Sequence, residues 1–155
     1  MALGILYFED EDWSAAAQLF AAATTRMPAA APMDAVLFRT GLCYERMGRW
    51  TAALGPYRRI AGQFSSGPYG ANAERRLQLR ADHFAVQCGV YSRSENADQM
   101  VARLQQSGLR TSISQEQRGG TLCYVVLEGH YGTYPEALQA LARVRGYVPE
   151  AVLWP

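Results

Sequence analysis

The spacing of apolar residues changes abruptly near Ala81, and this change constrains the fold more than any other feature of the chain. From Leu3 to about Leu79 the apolar side chains return at helical intervals, in segments bounded by turn-forming or polar clusters. From His83 to Tyr91 they alternate with polar or small residues instead, as a half-buried strand requires. An all-helical block followed by a block that mixes strands and helices reads as two domains, 1–81 and 82–155, in an α+β chain. Hydrophobic residues make up 49% and charged residues 19%, enough apolar material to give each half its own core.

In the first block the spacing predicts helices over about Ala2–Phe8, Trp13–Arg26, Met33–Met47, Trp50–Phe64 and Pro68–Arg80. The first pair repeats in the second. Leu3-Gly4, Tyr7, Trp13, Ala16, Phe20 and Ala23 correspond at one constant offset to Thr40-Gly41, Tyr44, Trp50, Ala53, Tyr57 and Ile60. Small Gly4 and Gly41 allow two helices to approach closely, while the rings at 7, 20, 44 and 57 fill the space between them. The pattern Leu-Gly-x-x-Tyr, then Ala-x-x-x-Phe, then Pro28 resembles the tetratricopeptide repeat. That resemblance implies a two-repeat stack with the last helix as its cap, and a concave surface that holds a protein or peptide partner. The leading Trp of such a repeat would fall before Met1. The chain is therefore expected to be a fragment whose natural N-terminus, with any export signal, lies upstream.

In the second block, strands are expected over 83–91, Leu109–Ser114, Thr121–Glu128 and Ala151–Trp154. Helices are expected over Asn96–Gln106, ended by Gly108, and over Tyr134–Val144, with a hairpin turn at Gly119-Gly120. The order is βαββαβ, a ferredoxin-like or RNP-like arrangement with a four-stranded antiparallel sheet. Many unrelated domains share it, so the order alone gives no function. Alternation puts Val86 and Cys88 on one face of the first strand and Ala85 and Gln87 on the other. In the third strand it sets Tyr124 and Val126 against Cys123, Val125 and Leu127. If the helices cover Val86, Cys88, Tyr124 and Val126, the open face presents Gln87, Cys123, Val125 and Leu127, with Arg110, Ser112 and Ser114 from the second strand. An amide, small hydroxyls and a flat apolar strip suit a sugar chain.

Particular residues narrow the choice. Val86-Gln87-Cys88-Gly89-Val90-Tyr91-Ser92, Asn96-Ala97, Leu104, Gly108, Tyr124-Val125-Val126-Leu127-Glu128-Gly129-His130-Tyr131 and Glu136-Ala137 resemble the SPOR domain. The resemblance covers both halves of that domain. It implies binding to the glycan strands of bacterial peptidoglycan, preferably where stem peptides have been removed, as at division septa. Carried over residue by residue, it places the site at Gln87, Val90 and Ser92 on the first strand and its following loop, and at Cys123 on the open face. Tyr91 or Trp154 would supply a stacking ring. With the open-face residues Ser112, Val125 and Leu127, these form the expected glycan site. A SPOR domain is an envelope module, so a periplasmic or cell-envelope location is expected.

Other chemistry finds little support. A net charge of +1 gives no field for nucleic acid, and the central strands lack the exposed aromatics that an RNA-binding sheet of this order would use. No stretch approaches the roughly 20 apolar residues of a membrane span. Cys43, Cys88 and Cys123 form no CxxC pair, and the opposite facing of Cys88 and Cys123 argues against a bridge. His83 and His130, the only histidines, have no partner at a recognisable metal spacing, so no metal, cofactor or catalytic residue is assigned. Glu9-Asp10-Glu11-Asp12 reads as a solvated turn with a helix cap, and Arg75, Arg76 and Arg80 as a solubilising cluster. No phosphate loop, nucleophile elbow or zinc-protease motif occurs. The expected protein is a non-catalytic envelope protein that binds glycan with one half and a protein with the other. The alternative is a protein adaptor whose sheet domain has lost glycan binding.

Overall fold

In the computed structural model, which describes residues 2–155, the chain separates after Asp82 into two compact units. The first is helical throughout: α1 (Ala2–Glu9), α2 (Trp13–Thr24), α3 (Met33–Arg46), α4 (Trp50–Gln63) and α5 (Gly70–Leu79). Asp12 caps α2 by accepting a hydrogen bond from the Ala15 N–H at 3.0 Å, so the acidic run from Glu9 to Asp12 is a turn and a cap. The helix α5 stops at Arg80, which adopts the left-handed conformation.

The repeat has the packing that its residues demand. A Cβ added to Gly4 would lie 2.8 Å from the Phe20 ring, and one added to Gly41 would lie 2.5 Å from the Tyr57 ring. Each glycine therefore lets an aromatic ring of the next helix lie against its own backbone. Phe20 and Tyr57, at 0% and 1% exposure, stand in the cores of successive helical pairs. Arg76 departs from the sequence reading. It forms a mostly buried ion pair with Glu45 and thereby ties α5 to α3.

The second unit, from His83 onward, contains β1 (Phe84–Tyr91), α6 (Ser94–Gln106), β2 (Thr111–Arg118), β3 (Thr121–Tyr131), α7 (Tyr134–Val144) and β4 (Val152–Trp154). All pairings are antiparallel, in the order β2-β3-β1-β4. The helices α6 and α7 pack on one face, where Ala97, Leu104, Ala140, Leu141 and Val144 meet Val86, Cys88 and Val126. Thr133 and Glu136 form a capping box that fixes the start of α7.

β2 and β3 run further than their apolar pattern suggests. Gln115–Arg118 is wholly polar, so periodicity gives no signal there, yet it pairs residue for residue with Thr121–Tyr124. The turn between them uses Gly119 and Gly120, both at positive φ, as a two-residue hairpin loop requires.

Candidate functional site

Strand register sorts the sheet residues into two faces. Gln87 lies opposite Leu127, Val90 opposite Val125, Ser112 opposite Leu127 and Ser114 opposite Val125. Glu116 lies opposite Cys123, and on the outer side Ala85 pairs with Trp154 and Gln87 with Val152. These residues share the face turned away from α6 and α7. A register shift between Gln87 and Gly89 interrupts the alternation of β1. An extra residue in one strand reverses which face the following side chains take. Val90, which unbroken alternation from Val86 and Cys88 would turn toward the helices, therefore joins Gln87 on the open side, the side on which the glycan site was expected. Tyr91 goes the other way: it pairs with Tyr124, packs against the helix-side core and crosses Gly89, where an added Cβ would sit 2.7 Å from the Tyr91 hydroxyl. It is therefore withdrawn from the open face, contrary to the sequence expectation.

The open face is not flat. The Arg118 guanidinium donates to the Gln87 Oε1 at 2.7 Å, although Arg118 pairs with Thr121 and Gln87 with Leu127. From Thr121 to Leu127 a straight strand would run roughly 20 Å at about 3.3 Å per residue, further than the two side chains reach. Likewise the Trp154 indole N–H donates to the Glu116 Oε1 at 2.6 Å, joining the last residue of one edge strand to the far end of the other. The β2–β3 hairpin therefore arches back over the sheet. Arg118 Nε also donates to Glu116 Oε2 at 3.0 Å, so Trp154, Glu116, Arg118 and Gln87 form one continuous polar chain. The Glu116 side chain is 1% exposed, and both its oxygens are satisfied, as a buried carboxylate requires.

The arch changes the character of the expected site. Val125 and Leu127 are buried at 0% and 5% exposure, not presented as an open apolar strip. Trp154 is 5% exposed. Val90, Ser92 and Ser112 are exposed, and Gln87 and Cys123 are half-buried. The structure thus brings Gln87, Val90, Ser112, Cys123, Val125 and Leu127 to one face, sets Ser92 in the loop just past β1, and removes Tyr91. Glu116, Arg118 and Trp154 belong to the same constellation. Glu116 and Arg118 were beyond the expected end of β2, and only the curl of the hairpin shows their place.

A second recess of about 1060 Å³ lies by the start of β2 and the end of β3, lined among others by Arg110, Thr111, Glu128, Tyr131 and Arg143. Buried Glu128 accepts hydrogen bonds from Tyr131 Oη at 2.7 Å and Arg143 at 3.0 Å. Burial, then the adjoining Glu128, pushes the Tyr131 hydroxyl above the ordinary tyrosine range. Tyr131 therefore stays a neutral donor to that carboxylate at physiological pH.

The three cysteines are free. Burial raises the Cys43 and Cys88 thiols to about 11, which leaves almost no thiolate at neutral pH. Cys123 is the least buried of the three. Alkylation at pH 8 is expected to label Cys123 first, with Cys43 and Cys88 protected until the chain unfolds; peptide mapping after timed iodoacetamide treatment checks this order.

Comparison with known families agrees with the fold of each unit. Residues 81–154 match the SPOR domain and residues 35–66 match the tetratricopeptide repeat, the latter spanning α3 and α4. The C-terminal unit is a SPOR domain, and a tetratricopeptide repeat precedes it. No curated protein matched the chain, and no solved structure did. SPOR domains form a peptidoglycan-binding family found in cell-envelope proteins, and both modules bind and do not catalyse. Among the described residues no helix is long and apolar enough to cross a membrane.

Proposed function

We propose that the SPOR domain of this chain binds peptidoglycan glycan strands that have lost their stem peptides, as at division septa, and that the helical repeats hold a protein partner there. The observation that carries the glycan reading is the shared face of Gln87, Val90 and Ser112, edged by Ser92 and backed by Trp154. A sugar chain offers hydroxyls on its rim and apolar C–H surface on its ring faces. The Gln87 amide and the serine hydroxyls match the first, and Val90, Val125, Leu127 and the indole match the second.

Gln87 is already engaged by Arg118. Full contact with a glycan therefore exchanges that bond for sugar hydroxyls as the hairpin lifts, and the ring faces then reach Val125, Leu127 and Trp154. Sedimentation of the full chain with purified peptidoglycan, before and after an amidase removes the stem peptides, tests the reading. Enrichment on the stripped material is expected, with Gln87→Ala and Ser112→Ala each weakening retention by about tenfold, on the order of one to two neutral hydrogen bonds. Equal retention by wild type and both variants would place the contact elsewhere.

A second reading, a protein adaptor whose SPOR domain no longer takes glycan, is favoured by one observation: the closed hairpin hides the apolar part of the face. Failure of the folded chain to bind either form of peptidoglycan selects it.

A further inference from the structure

We propose that Asp82, His83 and His130 form a binding site for a borderline divalent transition-metal ion such as Zn²⁺, at the end of the sheet where β1 begins and β3 ends. The two histidines are far apart in sequence, and their spacing matches no metal motif. Antiparallel pairing of β1 with β3 brings them together: Phe84 lies opposite Tyr131, so His83 and His130 stand diagonally across that pair, beside the register shift between Phe84 and Val86. Their imidazole rings stand 3.7 Å apart and 12° from parallel. Asp82 directly precedes His83 and lies inside the segment that matches the SPOR family. A carboxylate oxygen of Asp82 and a ring nitrogen of each histidine all fall within 4.8 Å of one another.

Donor chemistry and geometry point to the same class of ion. Two imidazoles and one carboxylate suit Zn²⁺ and its transition-metal neighbours, while Ca²⁺ and Mg²⁺ prefer sites built from oxygen alone. Around a tetrahedral ion with ligand bonds of about 2.0–2.1 Å, donor atoms lie about 3.4 Å apart. Closing from the observed spacing needs side-chain rotation only. One ring must also turn out of the stack, because parallel rings cannot both aim an in-plane lone pair at one ion. Asp82 and His130 are exposed, so this rotation disturbs no core packing, and the strand pairing holds the backbone in place. Three protein ligands leave a fourth position for water or for a donor from a bound molecule. The site adjoins the open face, since the His83 ring lies 5.5 Å from the Trp154 ring. An ion there would pin β1 to β3 beside that indole.

The test is calorimetric titration of the untagged full chain with Zn²⁺, alongside Mg²⁺ and Ca²⁺. One saturable Zn²⁺ site is expected, with no comparable uptake of the other two. His83→Ala and His130→Ala should each weaken it at least about tenfold, Asp82→Asn should weaken it less, and Cys123→Ser should leave it unchanged. Zn²⁺ should raise the thermal midpoint of the wild-type chain and not that of the double histidine variant, because an ion that binds only the folded state stabilises it. The site is overturned if wild type shows no saturable uptake, if the double histidine variant binds as tightly as wild type, or if Cys123→Ser abolishes binding. The two histidines are not core residues, so a folded variant is expected, and its circular dichroism spectrum confirms it.

Discussion

Arg76→Ala is expected to lower the stability of the helical unit by about 3 kcal/mol, the usual cost of removing one partner from a buried ion pair. The Glu45 and Arg76 side chains are only 7% and 15% exposed, so bulk water screens their interaction little. Burial drives the Glu45 carboxyl above the ordinary carboxylate range, and the Arg76 charge opposes that rise. Without Arg76 the upward push loses its main opponent and only the Tyr57 hydroxyl and the Arg46 charge still counter it, so at neutral pH the fold must either hold a poorly compensated buried charge or take up a proton. The sign of the pH dependence follows. A carboxyl whose folded pKa is raised binds its proton more tightly in the folded state than in the unfolded chain. Its contribution to stability is therefore greatest below the ordinary carboxylate range and falls as pH rises through the raised value. The defect of Arg76→Ala should accordingly be larger at pH 8 than at pH 5. Urea unfolding followed by circular dichroism at both pH values measures it. Equal midpoints for wild type and variant at pH 8 would mean that the pair contributes nothing to the docking of α5 on α3.

The elements themselves were legible in the sequence because each carries a strong local signal. Helical spacing located the seven helices among the described residues closely, and the constant offset between Gly4, Tyr7, Phe20 and Gly41, Tyr44, Tyr57 anticipated how the helical pairs pack. The βαββαβ order and the SPOR motif gave the second unit, and the Gly119-Gly120 turn was plain from composition. Three features were not legible, each for a physical reason. The end of β2 is polar on both faces, so alternation says nothing about Gln115–Arg118. The bulge in β1 exchanges the faces of Val90 and Tyr91, and a bulge leaves no mark in the hydrophobic pattern here. Long-range polar pairs such as Glu45–Arg76, Gln87–Arg118 and Glu116–Trp154 join residues whose sequence neighbours give no hint of the partner. The first two altered the membership of the candidate face. The third altered its shape, because the hairpin is held down by side chains that read in sequence as solvated strand residues.

Glu116→Ala should release that hairpin. The Glu116 carboxylate is the one acceptor that joins Trp154 on β4 to Arg118 on the far end of β2. Removing it leaves the indole N–H, on a residue 5% exposed, without this acceptor, and leaves the Arg118 guanidinium its bond to Gln87 without the one to Glu116. An unsatisfied buried donor costs about 1–3 kcal/mol, and the arched state bears this cost while a lifted hairpin, with the indole wetted, does not. The equilibrium between arched and lifted forms should therefore move toward the lifted form by a factor of about ten or more, as about 1.4 kcal/mol corresponds to tenfold. Amide hydrogen exchange over 115–122 should accelerate by that factor, with exchange in α6 and α7 unchanged. On the proposed reading of the face, a lifted hairpin also uncovers Val125, Leu127 and Trp154, and retention on stripped peptidoglycan should rise. Glu116→Gln is the companion variant: its amide oxygen can still accept from the indole, so it should stay closer to wild type in both measurements. Unchanged exchange over 115–122 in Glu116→Ala would show that backbone curl alone keeps the hairpin down. Faster exchange with weaker retention would show instead that Glu116 and the closed hairpin are themselves part of the binding surface.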